Sequence, residues 1–71
     1  LLVCGVTTNM CIESTVRDAS QLDFRTFLVS DAVGEVDPVR HKNALTSMEF
    51  LFAKLITSAD VIAGFRAFTT I

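Results

Sequence analysis

The chain has 71 residues, of which 51% are hydrophobic and 20% charged, with six phenylalanines and no tryptophan or tyrosine. This composition excludes the disordered and collagen-like classes. Six basic and eight acidic side chains give a net charge of −2. The sequence has no basic stripe that could bind along a phosphate backbone, so we expect no nucleic-acid partner. The longest uncharged apolar stretch, Leu1 to Val6, is far shorter than the roughly 20 residues of a membrane span.

The size of the chain predicts that part of its surface is covered in the native protein. The sequence opens inside an apolar run and without an initiator methionine, and chains this short bury only about 60% of their unfolded surface. We therefore expect residues 1–71 to be a single partial domain, completed by the remainder of that domain or by a second copy in a homo-oligomer. Two cysteines are too few for a disulfide framework, and we expect a cytoplasmic protein.

The first strand-then-helix unit starts with a strand over Leu1 to Cys4, which Gly5 ends. A helix from about Met10 to Leu22 follows, with Thr8 or Asn9 as its cap. The apolar side chains of this helix recur at the spacing of one buried face, at Ile12, Val16 and Ala19.

The second unit has a strand over Thr26 to Ser30 and a loop over Asp31 to Asp37. A helix then extends from Pro38 to about Leu51, with Asp37 as cap and proline in the first helical position. Its apolar stripe, spaced 4, 3 and 4, is His41, Leu45, Met48 and Phe52.

The third unit is a short strand over Ala53 to Thr57 and a helix from Ser58, its cap, to about Phe68. Three inward side chains are predicted on this helix: Ile62, Phe65 and Phe68.

Alternating strands and helices predict an α/β fold with a doubly wound parallel sheet, Rossmann-like and three-layered, with right-handed crossovers. Three strands leave an unpaired edge, so we expect these three βα units to belong to a larger six-stranded domain. Such sheets bind ligands outside the carboxyl ends of their strands. In this sequence those ends are Gly5 to Cys11, Asp31 to Asp37, and Thr57 with Ser58.

Cys11 is the strongest candidate for chemistry in the sequence. A cysteine in the first turn of a helix meets exposed N–H groups and the helix dipole, which favour the nucleophilic thiolate. The same loop can direct N–H groups at a developing oxyanion. A small buried hydrophobe is an equally weighted interpretation of Cys11. Cys4 lies inside the strand, and we expect a packed, inert thiol there.

The other polar residues give weaker signals. His41 lies on an apolar helix stripe, and we expect a hydrogen-bonded core residue rather than a base. Asp31 is expected to form a turn, with substrate binding as the alternative. Cys4, Cys11 and His41 lack the close ligand pairs of structural zinc sites, so we expect no metal and no other cofactor. A Cys4–Cys11 redox pair remains a weak alternative.

Residues 5–19, GVTTNMCIESTVRDA, resemble the nucleophile segment of the isochorismatase-like cysteine hydrolases. That superfamily includes nicotinamidases, N-carbamoylsarcosine amidases and ureidoacrylate amidohydrolases. Further segments resemble later parts of the family pattern: Val29 to Ala32, His41 to Leu45 and Ile56 to Val61. The resemblance thus extends over nearly the whole chain but corresponds to less than half of a usual family domain.

The resemblance implies a mechanism and the residues that perform it. Cys11 would attack the carbonyl carbon of a small amide or ureide and form a thioester acyl-enzyme. A cis peptide bond would join Val6 and Thr7, and the backbone N–H groups of Thr7 and Cys11 would form the oxyanion hole. The substrate-binding residues stay undetermined.

The chain also departs from the family pattern. The family triad contains an Asp and a Lys besides the Cys, and neither has a match in residues 1–71, so we expect little or no turnover from these residues alone. The cysteine favours amide hydrolysis over the vinyl-ether cleavage of isochorismatases proper. Within the family, the sequence Thr8 to Cys11 resembles ureidoacrylate or carbamoyl-type amidases more than nicotinamidases. A non-catalytic α/β fragment or interaction module is the alternative function.

Overall fold

The computed structural model describes the backbone of residues 1–69 and the side chains of residues 1–67. Its three strands form one parallel sheet in the order β1-β2-β3, which confirms the predicted α/β fold. The elements in chain order are β1 (Leu2–Val6), a π-helical turn (Thr8–Ile12), α1 (Glu13–Gln21), β2 (Phe27–Gly34), α2 (Pro38–Leu51), β3 (Lys54–Ile56) and α3 (Ser58–Thr69).

The hydrophobic core lies between one face of the sheet and the helical segments that follow β1 and β2. Val3, Leu28 and Leu55 are neighbours across the three strands, so their side chains point to the same face. Their helical partners in the core are Ile12, Val16, Ala44 and Met48. The predicted buried face of the first helix is therefore confirmed, because Ile12, Val16 and Ala19 are all buried.

The opposite face of the sheet is only partly covered. Leu2, Phe27 and Ile56 lie on it and, with Val61, Gly64 and Phe65 of α3, line an open apolar groove of about 500 Å³. Ile62 and Phe65 are 52% and 61% exposed, so neither is buried in a core, although Phe65 faces the sheet across this groove as predicted. Three strands offer α3 too narrow a surface to bury its whole apolar side. Phe68 lies outside the described side chains.

β1 and β2 are both longer than predicted and pair irregularly. Val3 pairs with Leu28, whereas Gly5 pairs with Val33, so residues 29–32 of β2 lie opposite Cys4. The predicted loop from Asp31 is therefore strand as far as Gly34. Gly5 has a φ of 121°, a conformation that side-chain-bearing residues rarely adopt. The glycine thus carries β1 through the irregular pairing instead of ending it.

The start of α2 agrees with the sequence prediction. Pro38 is the first helical residue, and the carboxylate of Asp37 accepts a hydrogen bond of 2.9 Å from the N–H of Val39. Proline fits the first position because its missing N–H would have had no helical partner there. Within residues 1–69, no helix is long and apolar enough to cross a lipid bilayer.

Candidate active site

Cys11 lies in the π-helical turn that joins the carboxyl end of β1 to α1. The carbonyl oxygen of Thr7 accepts hydrogen bonds from the N–H groups of Met10, at 3.1 Å, and Ile12, at 3.2 Å. The bond from Ile12 spans five residues, which is the spacing of a π-helix. The helical segment therefore begins at Thr8, two residues before the predicted start, and its first turn is wider than that of an α-helix.

The predicted cap of the first helix is wrong. Thr7 precedes the helical segment and makes no side-chain capping bond. Thr8 lies inside the turn and its side chain is fully buried. Its hydroxyl has a distant partner instead, because Thr8 Oγ1 lies 2.9 Å from His41 Nδ1 at the start of α2. The hydroxyl is therefore used between two units of the fold and not within one helix.

His41 is part-buried in this hydrogen bond, as expected for a bonded histidine on an apolar stripe. The sequence marked both residues, but not as a pair, since they are 33 positions apart. No local pattern signals such a bond.

Both cysteines are free and exposed. The packed position expected for Cys4 is wrong, because Cys4 stands where the pairing of β1 with β2 is interrupted. The interpretation of Cys11 as a buried hydrophobe is also wrong. Its side chain is exposed at the carboxyl end of β1, the edge of the sheet where ligands of parallel α/β folds bind.

The peptide bond between Val6 and Thr7 is cis, at the position that the family resemblance implies. It directly precedes the π-helical turn. The two residues predicted to form the oxyanion hole, Thr7 and Cys11, therefore lie at the entrance of this turn and within it.

Asp31 lies within β2 and connects the end of this strand to the start of α3. Its carboxylate accepts two hydrogen bonds of 2.7 Å from Ser58, one from the backbone N–H and one from the hydroxyl. The expected turn at Asp31 is wrong, because non-local pairing with β1 keeps the strand extended to Gly34.

The cap of α3 is Thr57 rather than the predicted Ser58, whose donors are taken by Asp31. The Thr57 hydroxyl accepts a 3.2 Å bond from the N–H of Asp60, and the Asp60 carboxylate accepts a 3.0 Å bond from the N–H of Thr57. This reciprocal arrangement is a capping box. It fixes the end of β3 at the same edge of the sheet.

The contacts of Asp31 predict that stability depends on pH. Hydrogen bonds from the hydroxyl and the N–H of Ser58 hold the pKa of Asp31 below its ordinary value of 3.8. The folded state thus binds the proton less readily than the unfolded state, so the stabilisation is complete above about pH 3.8 and is lost as the pH falls through the lower, folded pKa.

We expect Asp31→Asn to lower the melting temperature of the full-length natural protein at pH 7, because an amide keeps only one acceptor for Ser58. The difference from the wild type should shrink as the pH falls below 3.8. Ser58→Ala removes the hydroxyl donor and should weaken the same pH dependence. A deficit of Asp31→Asn that stays constant down to acidic pH would contradict this interpretation.

Arg40 is the cation nearest in sequence to the loop that was predicted over Asp31 to Asp37, and it contacts two carboxylates. Its Nε lies 3.6 Å from Glu35 and 3.7 Å from Asp37. The side chain of Glu35 is only 3% exposed, whereas that of Arg40 reaches solvent. The charge of Arg40 is therefore balanced within the chain. Among residues 1–67, no group of three or more His, Cys, Asp or Glu side chains is placed to hold a metal ion.

Fold and site together define a class of protein. The chain is a parallel α/β unit with an exposed cysteine in a π-helical turn at the carboxyl end of its first strand. Cysteines at such positions can serve as nucleophiles, because a sheet edge positions the side chain and the N–H groups of a helical turn can stabilise an oxyanion.

Comparison with known proteins gives the family. Residues 1–60 match the isochorismatase domain family, and the chain belongs to that family. A ureidoacrylate amidohydrolase, RutB, of Azorhizobium caulinodans is 36% identical over 66 residues, which are 92% of this chain and 29% of RutB. Nicotinamidase 3 of Arabidopsis thaliana is 38% identical over 56 residues, which are 79% of this chain and 28% of that protein.

A solved structure shows the same fold. An isochorismatase-like hydrolase from Alkaliphilus metalliredigens superposes with a TM-score of 0.83 at 26% identity, over 90% of this chain and 35% of that one. The chain thus spans about a third or less of the length of these relatives.

Proposed function

We propose that the protein hydrolyses a C–N bond of a small amide or ureide, with Cys11 as the nucleophile. The observation that carries the proposal is the exposed Cys11 thiol in the π-helical turn directly after β1. Membership of the isochorismatase domain family supports a hydrolase. Similarity to a ureidoacrylate amidohydrolase and to a nicotinamidase supports amide hydrolysis over other reactions.

The proposed reaction has two steps. The Cys11 thiolate attacks the carbonyl carbon, and the electron pair of the C=O bond moves to oxygen, which accepts hydrogen bonds from the N–H groups of Thr7 and Cys11. Collapse of this intermediate breaks the C–N bond, and the amine leaves with a proton. Water then adds to the thioester, the thiol departs, and the carboxylic or carbamic acid is released.

The proton transfers need an acid and a base besides Cys11. We propose the Asp and Lys of the family triad for these roles, and neither has a match in residues 1–71. Residues 1–71 on their own would then be a partial domain with little or no turnover. The remainder of the domain, or a second copy in a homo-oligomer, would complete the pocket.

We propose that the substrate presents an amide, rather than a carboxylate, to the part of the pocket that residues 1–67 form. Glu35 and Asp37 offset the charge of Arg40, so the described residues give no observation that supports an anionic substrate. We therefore propose that residues 1–67 receive the scissile amide or ureide, and that other parts of the protein determine the rest of the specificity.

Release of ammonia by the full-length natural protein tests the proposal. The substrates to compare are an N-carbamoyl amino acid, a ureidoacrylate and nicotinamide, with circular dichroism to verify folding. We expect turnover of at least one. A folded protein that releases no ammonia from any of them would contradict the proposal and favour the non-catalytic alternative, for which the open apolar groove on the α3 side of the sheet is the motivating observation.

A further inference from the structure

We propose that His41 is a positioning residue, which holds the nucleophile-bearing turn in place through the hydroxyl of Thr8. This inference rests on the proposed function, since it concerns the same cysteine. Its structural basis is the 2.9 Å hydrogen-bond distance between Thr8 Oγ1, in the π-helical turn, and His41 Nδ1, in α2.

Thr8 is an unusual residue for the position that it occupies. The four largest fully buried side chains are Leu28, Met48, Val16 and Thr8. Thr8 alone of these four carries a hydroxyl. A buried hydroxyl without a partner is costly, so buried polar groups nearly always have one. His41 supplies that partner, and either tautomer of its ring can serve, because a hydroxyl both donates and accepts.

His41 is itself held on a rigid element. Its backbone N–H donates a 3.0 Å hydrogen bond to the backbone carbonyl oxygen of Asp37, the capping residue of α2. Further along the same helix, Ala44 and Met48 are buried in the core with Ile12, the last residue of the π-helical turn. The turn is thus fixed to α2 at two points, by apolar packing at Ile12 and by the hydrogen bond at Thr8. Cys11 lies between them.

The consequence is for the rate of the chemical step rather than for substrate affinity. Thr8 follows Thr7, whose N–H is a proposed oxyanion donor, and precedes Cys11 by three residues. A displacement of reacting groups by about 1 Å can lower a rate by about 100-fold. We therefore expect His41→Leu to lower kcat by about 10- to 100-fold with little change in KM.

Matched variants of the full-length natural protein separate positioning from general stability. His41→Asn keeps an amide group near the position of Nδ1 and should retain most of the activity, whereas His41→Leu should not. Thr8→Val removes the hydroxyl at constant shape and should reproduce the effect of His41→Leu. Thr46→Val is the control, because the exposed Thr46 loses a comparable bond, to the Lys42 carbonyl oxygen in the same helix, without touching the turn.

The double variant Thr8→Val with His41→Leu tests whether the two residues act through one bond. We expect its kcat to be no lower than that of the worse single variant, since the second change removes nothing further. Losses that multiply would overturn the proposal. It would also be overturned if kcat of His41→Leu stayed within about twofold of the wild type, or if His41→Asn lost as much activity as His41→Leu.

Alkylation of Cys11 provides a readout that does not need turnover. In a Cys4→Ser background, with alkylation by iodoacetamide followed on the peptide that contains Cys11, we expect His41→Leu and Thr8→Val to change the rate about threefold or more, and His41→Asn to leave it near the starting value. A wild-type protein without hydrolase activity would contradict the proposed function alone. Equal alkylation rates in all variants would contradict the positioning role, whatever the activity.

Discussion

Replacing Cys11 by alanine should lower kcat/KM of the full-length natural protein by about 10⁴-fold or more, because covalent catalysis has no substitute when its nucleophile is removed. The side chain is exposed in the π-helical turn, so its loss leaves no cavity in the core. The melting temperature should therefore stay close to that of the wild type. Steady-state ammonia release and thermal unfolding, measured on the same preparation, test both parts.

Cys4→Ser is the matched control for this prediction. Cys4 is also a free, exposed thiol, but it lies in β1, before the proposed oxyanion donors. We expect its replacement to change kcat/KM by less than about twofold, within the usual effect of a neutral exposed substitution. Activity retained by Cys11→Ala would show that the nucleophile is misassigned. Equal, large losses in both variants would favour a thiol redox pair instead.

Replacing Leu28 by alanine should have the largest effect on stability. Leu28 is fully buried in the central strand, where it pairs with Val3 on one side and Leu55 on the other. Loss of its side chain removes apolar contacts and leaves a cavity, which together cost about 2–5 kcal/mol in the free energy of unfolding. Denaturant unfolding of the full-length natural protein measures this difference.

Val36→Ala is the control for the Leu28 variant, because Val36 is 92% exposed. Its free energy of unfolding should stay within about 0.5 kcal/mol of the wild type. Since native proteins are stable by only about 5–15 kcal/mol, Leu28→Ala should also lower the yield of folded protein. A loss below about 1 kcal/mol would mean that the core lies elsewhere.

The order of strands and helices was predictable from the sequence, because each element has a local signal. The second strand was predicted around the apolar run of residues 27–29, and Asp37 with Pro38 predicted the start of α2 at the observed residue. These signals depend on backbone and side-chain preferences of neighbouring residues. They can therefore be recognised without knowledge of the rest of the fold.

The features that the sequence did not predict depend on residues far apart in the chain. β2 extends through Asp31 to Gly34 because its end pairs with Gly5 and Val6 of β1, and the Asp31 carboxylate bonds to Ser58, which lies 27 positions away. Ile62 and Phe65 remain exposed because their burial requires surface that three strands do not provide. Local patterns identify an apolar side chain but not the element that covers it.

In the candidate active site, too, local features were predicted and contacts between distant residues were not. Cys11 was found from its position after a strand and from the family resemblance of the segment around it. Thr8 was expected to cap a helix, but its hydroxyl bonds to His41. A capping residue and a buried hydroxyl bonded across the fold look alike in sequence, since both are a threonine near a helix start.

Rapid acid quench followed by peptide mass mapping tests whether Cys11 carries the acyl group during hydrolysis. The full-length natural protein would be mixed with an amide that it hydrolyses and quenched during the burst of amine release. We expect the peptide that contains Cys11 to gain the mass of the acyl group, with Cys4 unmodified. An acyl group on another residue, or a full burst of amine with Cys11 unmodified, would contradict the assignment of Cys11 as the nucleophile.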